Sequence, residues 1–223
     1  MKQPTQAEQA ASTSVSDALR SRRAVKRYDP DHELSEAELR ALLSAVALAP
    51  TAYNIQNRHV VAIMDQREKQ RLQAAAFGQA QVRDASAVFV FCGDLAAHSR
   101  TDRFLRSAPG AVRAQLEPMI EQLFEGNHAL LLEEAARSVG MASMSLMLSA
   151  QELGFESCPM TGFDREQVSE LLGLDEDHPP LMLVVVGKGS EPAHPRLGLL
   201  HLEESVSVNR FGNHAIRGEV DVG

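Results

Sequence analysis

Cysteine is scarce in this chain of 223 residues: there are two, Cys92 and Cys158, far apart and without CxxC spacing. No metal knuckle or redox dithiol is expected, and both are read as ordinary reduced thiols. Positive charge is also short, since 22 Lys and Arg against 30 Asp and Glu leave a formal net charge of −8. A nucleic-acid groove or a polybasic membrane surface needs a cationic face, so small molecules or protein partners are expected instead. No stretch approaches the roughly 20 apolar residues of a membrane-spanning helix. The opening MKQPTQAEQAASTSVSD has no apolar block of the signal-peptide kind, and the expectation is a cytoplasmic protein. GxxxxGK[ST], HExxH and GxSxG are missing, and the eight histidines form no i, i+4 pair. Phosphate-loop, zinc and triad chemistry lose their usual footing, and no metal site is expected. Gly187-Lys-Gly189 follows an apolar run, but Pro192 stands where a dinucleotide fingerprint has its third glycine, so it reads as a turn.

What is present is 44% hydrophobic and 23% charged, enough for the core of one globular domain. Residues 1–14 are polar and aperiodic and read as a mobile tail, leaving 15–223 as a single domain. A short helix capped by Ser16 leads into Arg20-Ser-Arg-Arg-Ala-Val-Lys-Arg27, five cations in eight residues. Ser35 with Glu38 forms a capping box for a helix that carries Leu39, Leu42, Leu43 and Val46 and ends before Pro50. The spacing predicts further helices over Glu68–Ala76 and Leu130–Leu153, and one capped by Asp164 with Gln167 that ends near Gly173. His59–Met64, Ala87–Gly93 and Leu181–Val186 read as strands. Residues 94–127, broken by Pro109-Gly110 and Pro118, read as loose surface helix. Strands separated by helices indicate an α/β or α+β layer fold around one sheet.

Within the long helix, Gly140 costs roughly 1 kcal/mol against Ala. Ala136, Gly140, Ala142, Ser143 and Ser145 are expected to form a small-residue surface that a second copy of the chain covers. Met141, Met144 and Met147 read as core or subunit interface. Two stretches are candidates for ligand contact. The basic run could be a solvated face, but Arg22 and Lys26, one helical turn apart, with Arg196 as a second prong, suit an anion. Ser157–Gly162 could be a plain connection, but its backbone N–H groups suit a ligand acceptor atom.

Four motifs occur in order: Ser21-Arg-Arg-Ala-Val-Lys-Arg-Tyr28, Ala49-Pro-Thr-Ala-Tyr-Asn-Ile-Gln56, Gly78-Gln-Ala-Gln-Val-Arg-Asp-Ala-Ser86 and Gly154-Phe-Glu-Ser-Cys-Pro-Met-Thr-Gly-Phe-Asp164. Together, over roughly residues 16 to 210, they resemble the FMN-dependent nitroreductases, and in particular the small NAD(P)H-dependent nitro, quinone and azo reductases. The resemblance implies an α+β, nitroreductase-like fold with a mixed central β-sheet flanked by helices. It also implies an intertwined homodimer with one FMN at each of two interface sites. Arg22 and Arg196 would hold the flavin phosphate with help from His194, and Arg23 and Ala24 would lie beside them. Lys26 would approach the N1/O2 edge, where a cation favours reduced flavin. Pro50, Thr51, Ala52 and Asn54, with Gln56 in the same loop, would reach the flavin from the partner chain. Gln79 or Gln81 would reach the pyrimidine ring. The backbone of Pro159, Met160, Thr161 and Gly162 would run along the dimethylbenzene and N5 side, Thr161 or Gly162 donating its N–H to N5.

The activity implied is ping-pong hydride transfer through flavin N5 from NADH or NADPH to nitroaromatic, quinone or azo compounds, with no catalytic side chain. Three departures from the family's pattern stand out: Ala24 for Ser, the pair Asn57-Arg58 for Pro-Trp, and Thr161 for Glu. A flavin reservoir or sensor without turnover is the alternative, and an anion-binding module without flavin is a second.

Overall fold

The computed structural model describes residues 13–221, so the tail expected over residues 1–14 lies, except for its last two residues, outside the described residues. Four strands form one sheet: β1 (Arg58–Ile63), β2 (Ala87–Gly93), β3 (Glu156–Met160) and β4 (Pro180–Gly187), in the order β1-β2-β4-β3. Every neighbouring pair is antiparallel. The parallel component of the expected mixed sheet is an isolated bridge, Ala24 with Ser157, on the outer edge of β3.

All seven residues of β2 are buried, as an apolar run covered on both faces requires. Strand alternation sorts its side chains into two core layers. Val88, Val90 and Cys92 pack with Leu183 and Val185 under α3 (Gln66–Ala75), α4 (Ala80–Asp84) and α8 (Arg165–Leu172), which contribute Leu72, Val82 and Val168. Ala87, Phe89 and Phe91 pack with Val184 and Val186 under α2 (Glu36–Leu48) and α7 (His128–Glu152), which contribute Leu42, Val46, Val139 and Leu146. Helices on both faces of one sheet make the fold α+β, as expected.

Local rules set several boundaries. The Ser35 box forms in full, with Glu38 Oε2 accepting from the Ser35 amide at 2.8 Å. Asp164 caps α8, which ends in left-handed Gly173 at φ 64°. Gly187 is required by close approach, because a Cβ there would lie 2.8 Å from the Ser86 backbone nitrogen.

Other expectations are corrected. The N-cap of α1 (Val15–Ser21) is Ser14 rather than Ser16. Arg22 and Lys26 are not a helical turn apart, because α1 stops at Ser21 and the chain beyond it is held at Ala24 and Tyr28 by single bridges to Ser157 and Gly189. Residues 94–127 hold more order than a loose surface helix: α5 (Thr101–Phe104) and α6 (Gly110–Phe124) bury Phe104, Leu105, Ile120 and Phe124 around Ile55. Pro118 is exposed within α6, so the carbonyl it leaves without an amide faces water. Of the Ser157–Gly162 stretch, weighed as a plain connection or a ligand contact, residues 157–160 belong to the edge strand β3, where proline is tolerated.

The small-residue surface of α7 is not one face. Ala142 and Ser143 are buried in the chain's own core, and Ser143 Oγ donates to Val139 O at 2.7 Å. Ala136 and Gly140 face outward, and a Cβ on Gly140 would meet nothing within 4 Å. Met147 is core, Met144 packs against the same layer, and Met141 is exposed. A one-turn helix, α9 (Leu202–Ser205), interrupts the last segment.

Candidate functional site

The stretch after α1 lies along the free edge of β3, with the Val25 amide donating to Ser157 O at 3.2 Å. This contact joins the basic run to the Ser157–Gly162 stretch, 130 residues apart in sequence. Lys26 Nζ then reaches the buried Cys158 and donates to its Sγ at 3.2 Å. Where β3 ends, Gln79 Nε2 donates to Gly162 O at 2.9 Å, and Gln81 Nε2 donates to Gln79 Oε1 at 3.0 Å and to Met160 Sδ at 3.7 Å. Lys26, Gln79, Gln81 and His194 line one cavity of about 470 Å³. Thr161 and Gly162 are exposed beside this network, and Pro159 is half-buried.

The arginines gather at the carbonyl end of α1, where unpaired C=O groups carry partial negative charge. Arg23 Nη1 donates to the carbonyls of Arg20, Ser21 and Arg22 at 2.6, 3.0 and 3.0 Å. Arg196 Nη2 donates to those of Leu19, Arg20 and Arg22 at 3.4, 3.2 and 3.5 Å. Burial, then the charges of Arg196 and Arg23, hold the Arg22 guanidinium below its ordinary value. The Nε atoms of Arg22 and Arg196 are buried with no hydrogen-bond partner, and among the described residues no carboxylate bonds to Arg22, Arg23 or Arg196. Two half-buried guanidinium groups lie side by side here, each with an unmet Nε–H, an arrangement whose chemistry suits an anion. Ala24, exposed, contributes its backbone to the bridge with Ser157.

The loop that carries Pro50, Thr51, Ala52, Asn54 and Gln56 is built differently. Tyr53, Asn54 and Gln56 are left-handed, with φ of 50°, 57° and 50°, a region that costs non-glycine residues on the order of 1–3 kcal/mol each. Tertiary contacts hold the loop in this form. Thr51 Oγ1 accepts from the Gln56 amide at 3.0 Å, Asn54 Nδ2 donates to Phe104 O at 3.1 Å, and Ile55 is buried. Buried Asn57 accepts from Ser138 Oγ on α7 at 2.6 Å. The half-buried Arg58 donates through Nη2 to the carbonyls of Val46, Ala47 and Ala49 at 2.8, 3.2 and 2.9 Å, and so closes the C-terminus of α2. The Asn57-Arg58 departure therefore serves the scaffold. The single chain does not bring this loop to the Lys26 cavity; Ile55 and Gln56 instead line a separate one with Arg100, Arg103 and Arg106.

Sequence reasoning missed two features of the neighbourhood. Cys158 is the acceptor for Lys26, and the Tyr28 hydroxyl is buried without a partner, its pKa driven up by burial and then by Cys158 and Glu156. No local signal marks either, because both arise from pairing of the Arg22–Tyr28 stretch with Ser157 of β3 and with Gly189 just beyond β4. Among the described residues no group of three or more His, Cys, Asp or Glu could hold a metal ion, and no helix is long and apolar enough to cross a membrane.

The α+β core agrees with the comparisons to known proteins. Residues 19–188 match the family model described as the nitroreductase family, and the chain belongs to that family. It is similar to the protein DrgA of Synechocystis sp., 39% identical over 178 residues that span 79% of this chain and 85% of DrgA. It is 32% identical to YodC of Bacillus subtilis, which carries an NAD(P)H nitroreductase assignment, over 82% of this chain and 93% of YodC. A protein from Exiguobacterium sibiricum, solved in complex with FMN, superposes with a TM-score of 0.78 at 28% identity, covering 84% of this chain and 94% of its own.

Proposed function

We propose that this chain reduces nitroaromatic, quinone or azo compounds with electrons from NADH or NADPH, donor and acceptor taking turns at one site beside FMN. Membership of the family makes it an NAD(P)H-dependent oxidoreductase with FMN as cofactor. The acceptor classes and the alternation are our reading. The observation that carries it is the Arg22–Arg196 pair, whose buried, unpartnered Nε atoms and mutual repulsion fit a terminal phosphate. Arg22 and Arg196, with His194 and flanked by Arg23 and Ala24, would hold that phosphate. Lys26 would hold positive charge at the pyrimidine edge, and Gln79 and Gln81 would orient the ring from the same side. The backbone of Pro159, Met160, Thr161 and Gly162 would offer N–H donors along the other edge, except at Pro159. Bound FMN supplies the hydride-carrying chemistry, and no side chain need act as acid or nucleophile.

The chain acts, in this reading, as one FMN-binding domain over residues 15–223, in a cytoplasmic homodimer. Pro50, Thr51, Ala52, Asn54 and Gln56 of the second copy complete each site. Support for the dimer is the open space over Gly140 and the exposed apolar residues Leu197, Leu200, Phe211 and Ile216 of the last segment. The test is an anaerobic spectrum. The purified yellow protein bleaches with NADH or NADPH and recolours when a quinone is added. Flavin that stays oxidised with both nicotinamides would make the chain a flavin reservoir or sensor, and a colourless protein would remove the flavin altogether.

A further inference from the structure

Three arginines outside the flavin cluster share a cavity. Arg100, Arg103 and Arg106 line a space of about 290 Å³ together with Ile55, Gln56 and Asp94. In a chain of net charge −8, these three cations fall within seven residues that contain one acid, Asp102. Asp94 is the one carboxylate lining the cavity, and Arg100 already pairs with it. Arg103 and Arg106 are exposed, and among the described residues neither has a side-chain hydrogen bond or an ion pair. Arg100 Nε is buried with no partner. Charge is segregated across this short helix, because the next cavity, on the Thr101 side, is lined by Glu117, Glu121 and Glu125. An anion is therefore directed to the arginine side and repelled from the other.

The cavity is mechanically tied to the flavin loop. Ile55 and Gln56 form part of its wall, and Asn54 Nδ2 donates to the carbonyl of Phe104, between Arg103 and Arg106. We propose that Arg100, Arg103 and Arg106 bind a phosphate of the nicotinamide dinucleotide while its nicotinamide end reaches the site that the 50–56 loop closes. This inference rests on the function proposed above. Guanidinium forks match phosphate oxygens two at a time, and three around one small cavity suit a dianionic group. The dinucleotide offers two sources of that chemistry, the 2′-phosphate found only on NADPH and the pyrophosphate common to both donors.

The double variant Arg103→Ala with Arg106→Ala separates them, since both side chains are exposed and removing them leaves the core and the FMN cluster intact. Calorimetric titration of the oxidised protein with NADP+ and with NAD+, which share the pyrophosphate and differ only in the 2′-phosphate, is combined with anaerobic flavin reduction by NADPH and by NADH. We expect binding to weaken about tenfold to hundredfold, with a matching rise in the nicotinamide concentration that half-saturates flavin reduction. Loss confined to NADP+ and NADPH assigns the site to the 2′-phosphate. Equal loss for both pairs assigns it to the pyrophosphate. Unchanged binding of both nucleotides overturns the proposal. A wild-type flavin reduced by neither nicotinamide would undo the functional reading instead, and the two nucleotide titrations would still decide the role of the arginines.

Discussion

Replacing Arg22 and Arg196 together by alanine tests the cationic cluster, because its effects on the free and the flavin-loaded protein have opposite signs. In the proposed site each guanidinium would make charge-assisted bonds to the phosphate worth about 1.5–3 kcal/mol, so losing both is expected to weaken FMN binding by two or more powers of ten. In the free protein the same groups are a liability. Burial and the charge of Arg196 hold the Arg22 guanidinium down, and both Nε atoms lack partners. A buried, unsatisfied polar group costs about 1–3 kcal/mol, and the contacts of Arg196 with the α1 carbonyls are long, at 3.2–3.5 Å, and offset little of that. The apoprotein of the double variant is therefore expected to be as stable as the wild-type apoprotein or more so. The gain in melting temperature that saturating FMN gives the wild type is expected to vanish. Quenching of flavin fluorescence on titrating apoprotein measures the affinity, and thermal unfolding with and without FMN measures the rest. An affinity loss below tenfold, or an apoprotein destabilised by more than about 2 kcal/mol, would refute the reasoning and make the arginines straps for α1.

Lys26→Met is expected to lower the flavin midpoint potential by some tens of millivolts with FMN still bound. A cation a few ångströms from the reduced ring is worth on the order of 1–4 kcal/mol at an effective dielectric near 20, and 1.4 kcal/mol corresponds to about 30 mV in a two-electron couple. Spectroelectrochemical titration reads this shift, and an unchanged potential would mean that Lys26 serves Cys158 alone. A Cβ at Gly140 meets nothing within 4 Å in the single chain, so the expected effect of Gly140→Leu falls on the proposed dimer, halving the mass seen by light scattering; an unchanged mass would place the interface elsewhere. Burial pushes the Cys92 thiol up to about 12. The unfolded chain then releases this proton first, and the stabilisation present below about pH 9 declines above it with a slope approaching 1.4 kcal/mol per pH unit. Urea midpoints at pH 8 and pH 10 are expected to differ less for Cys92→Ala than for wild type. Parallel losses in the two proteins would contradict the assignment.

How much of this was legible in the sequence follows from where each element sits. Of the four strands, β1, β2 and β4 announce themselves through continuous apolar, β-branched runs, and the central two are covered on both faces. β3 did not, because an edge strand can carry Pro159, which reads as a breaker, and α6 was obscured in the same way by a proline on its wet side. The 50–56 loop was legible only as a motif. Its left-handed Tyr53, Asn54 and Gln56 have no glycine to advertise them, and they are held by Thr51, by Phe104 and by burial of Ile55 rather than by local preference. The arginine cluster was visible as a charge anomaly, but its geometry was misread as helical because the pairing that extends it joins Ala24 to Ser157, far away in the sequence. The division is physical. Core positions obey local periodicity, whereas this site is assembled from strained loops and long-range bridges, where local rules are overruled by contacts that no window of sequence contains. Residue identity can therefore point to a phosphate and a ring, but the buried, unpartnered Nε atoms of Arg22 and Arg196, on which the proposed phosphate site rests, exist only once the fold has closed.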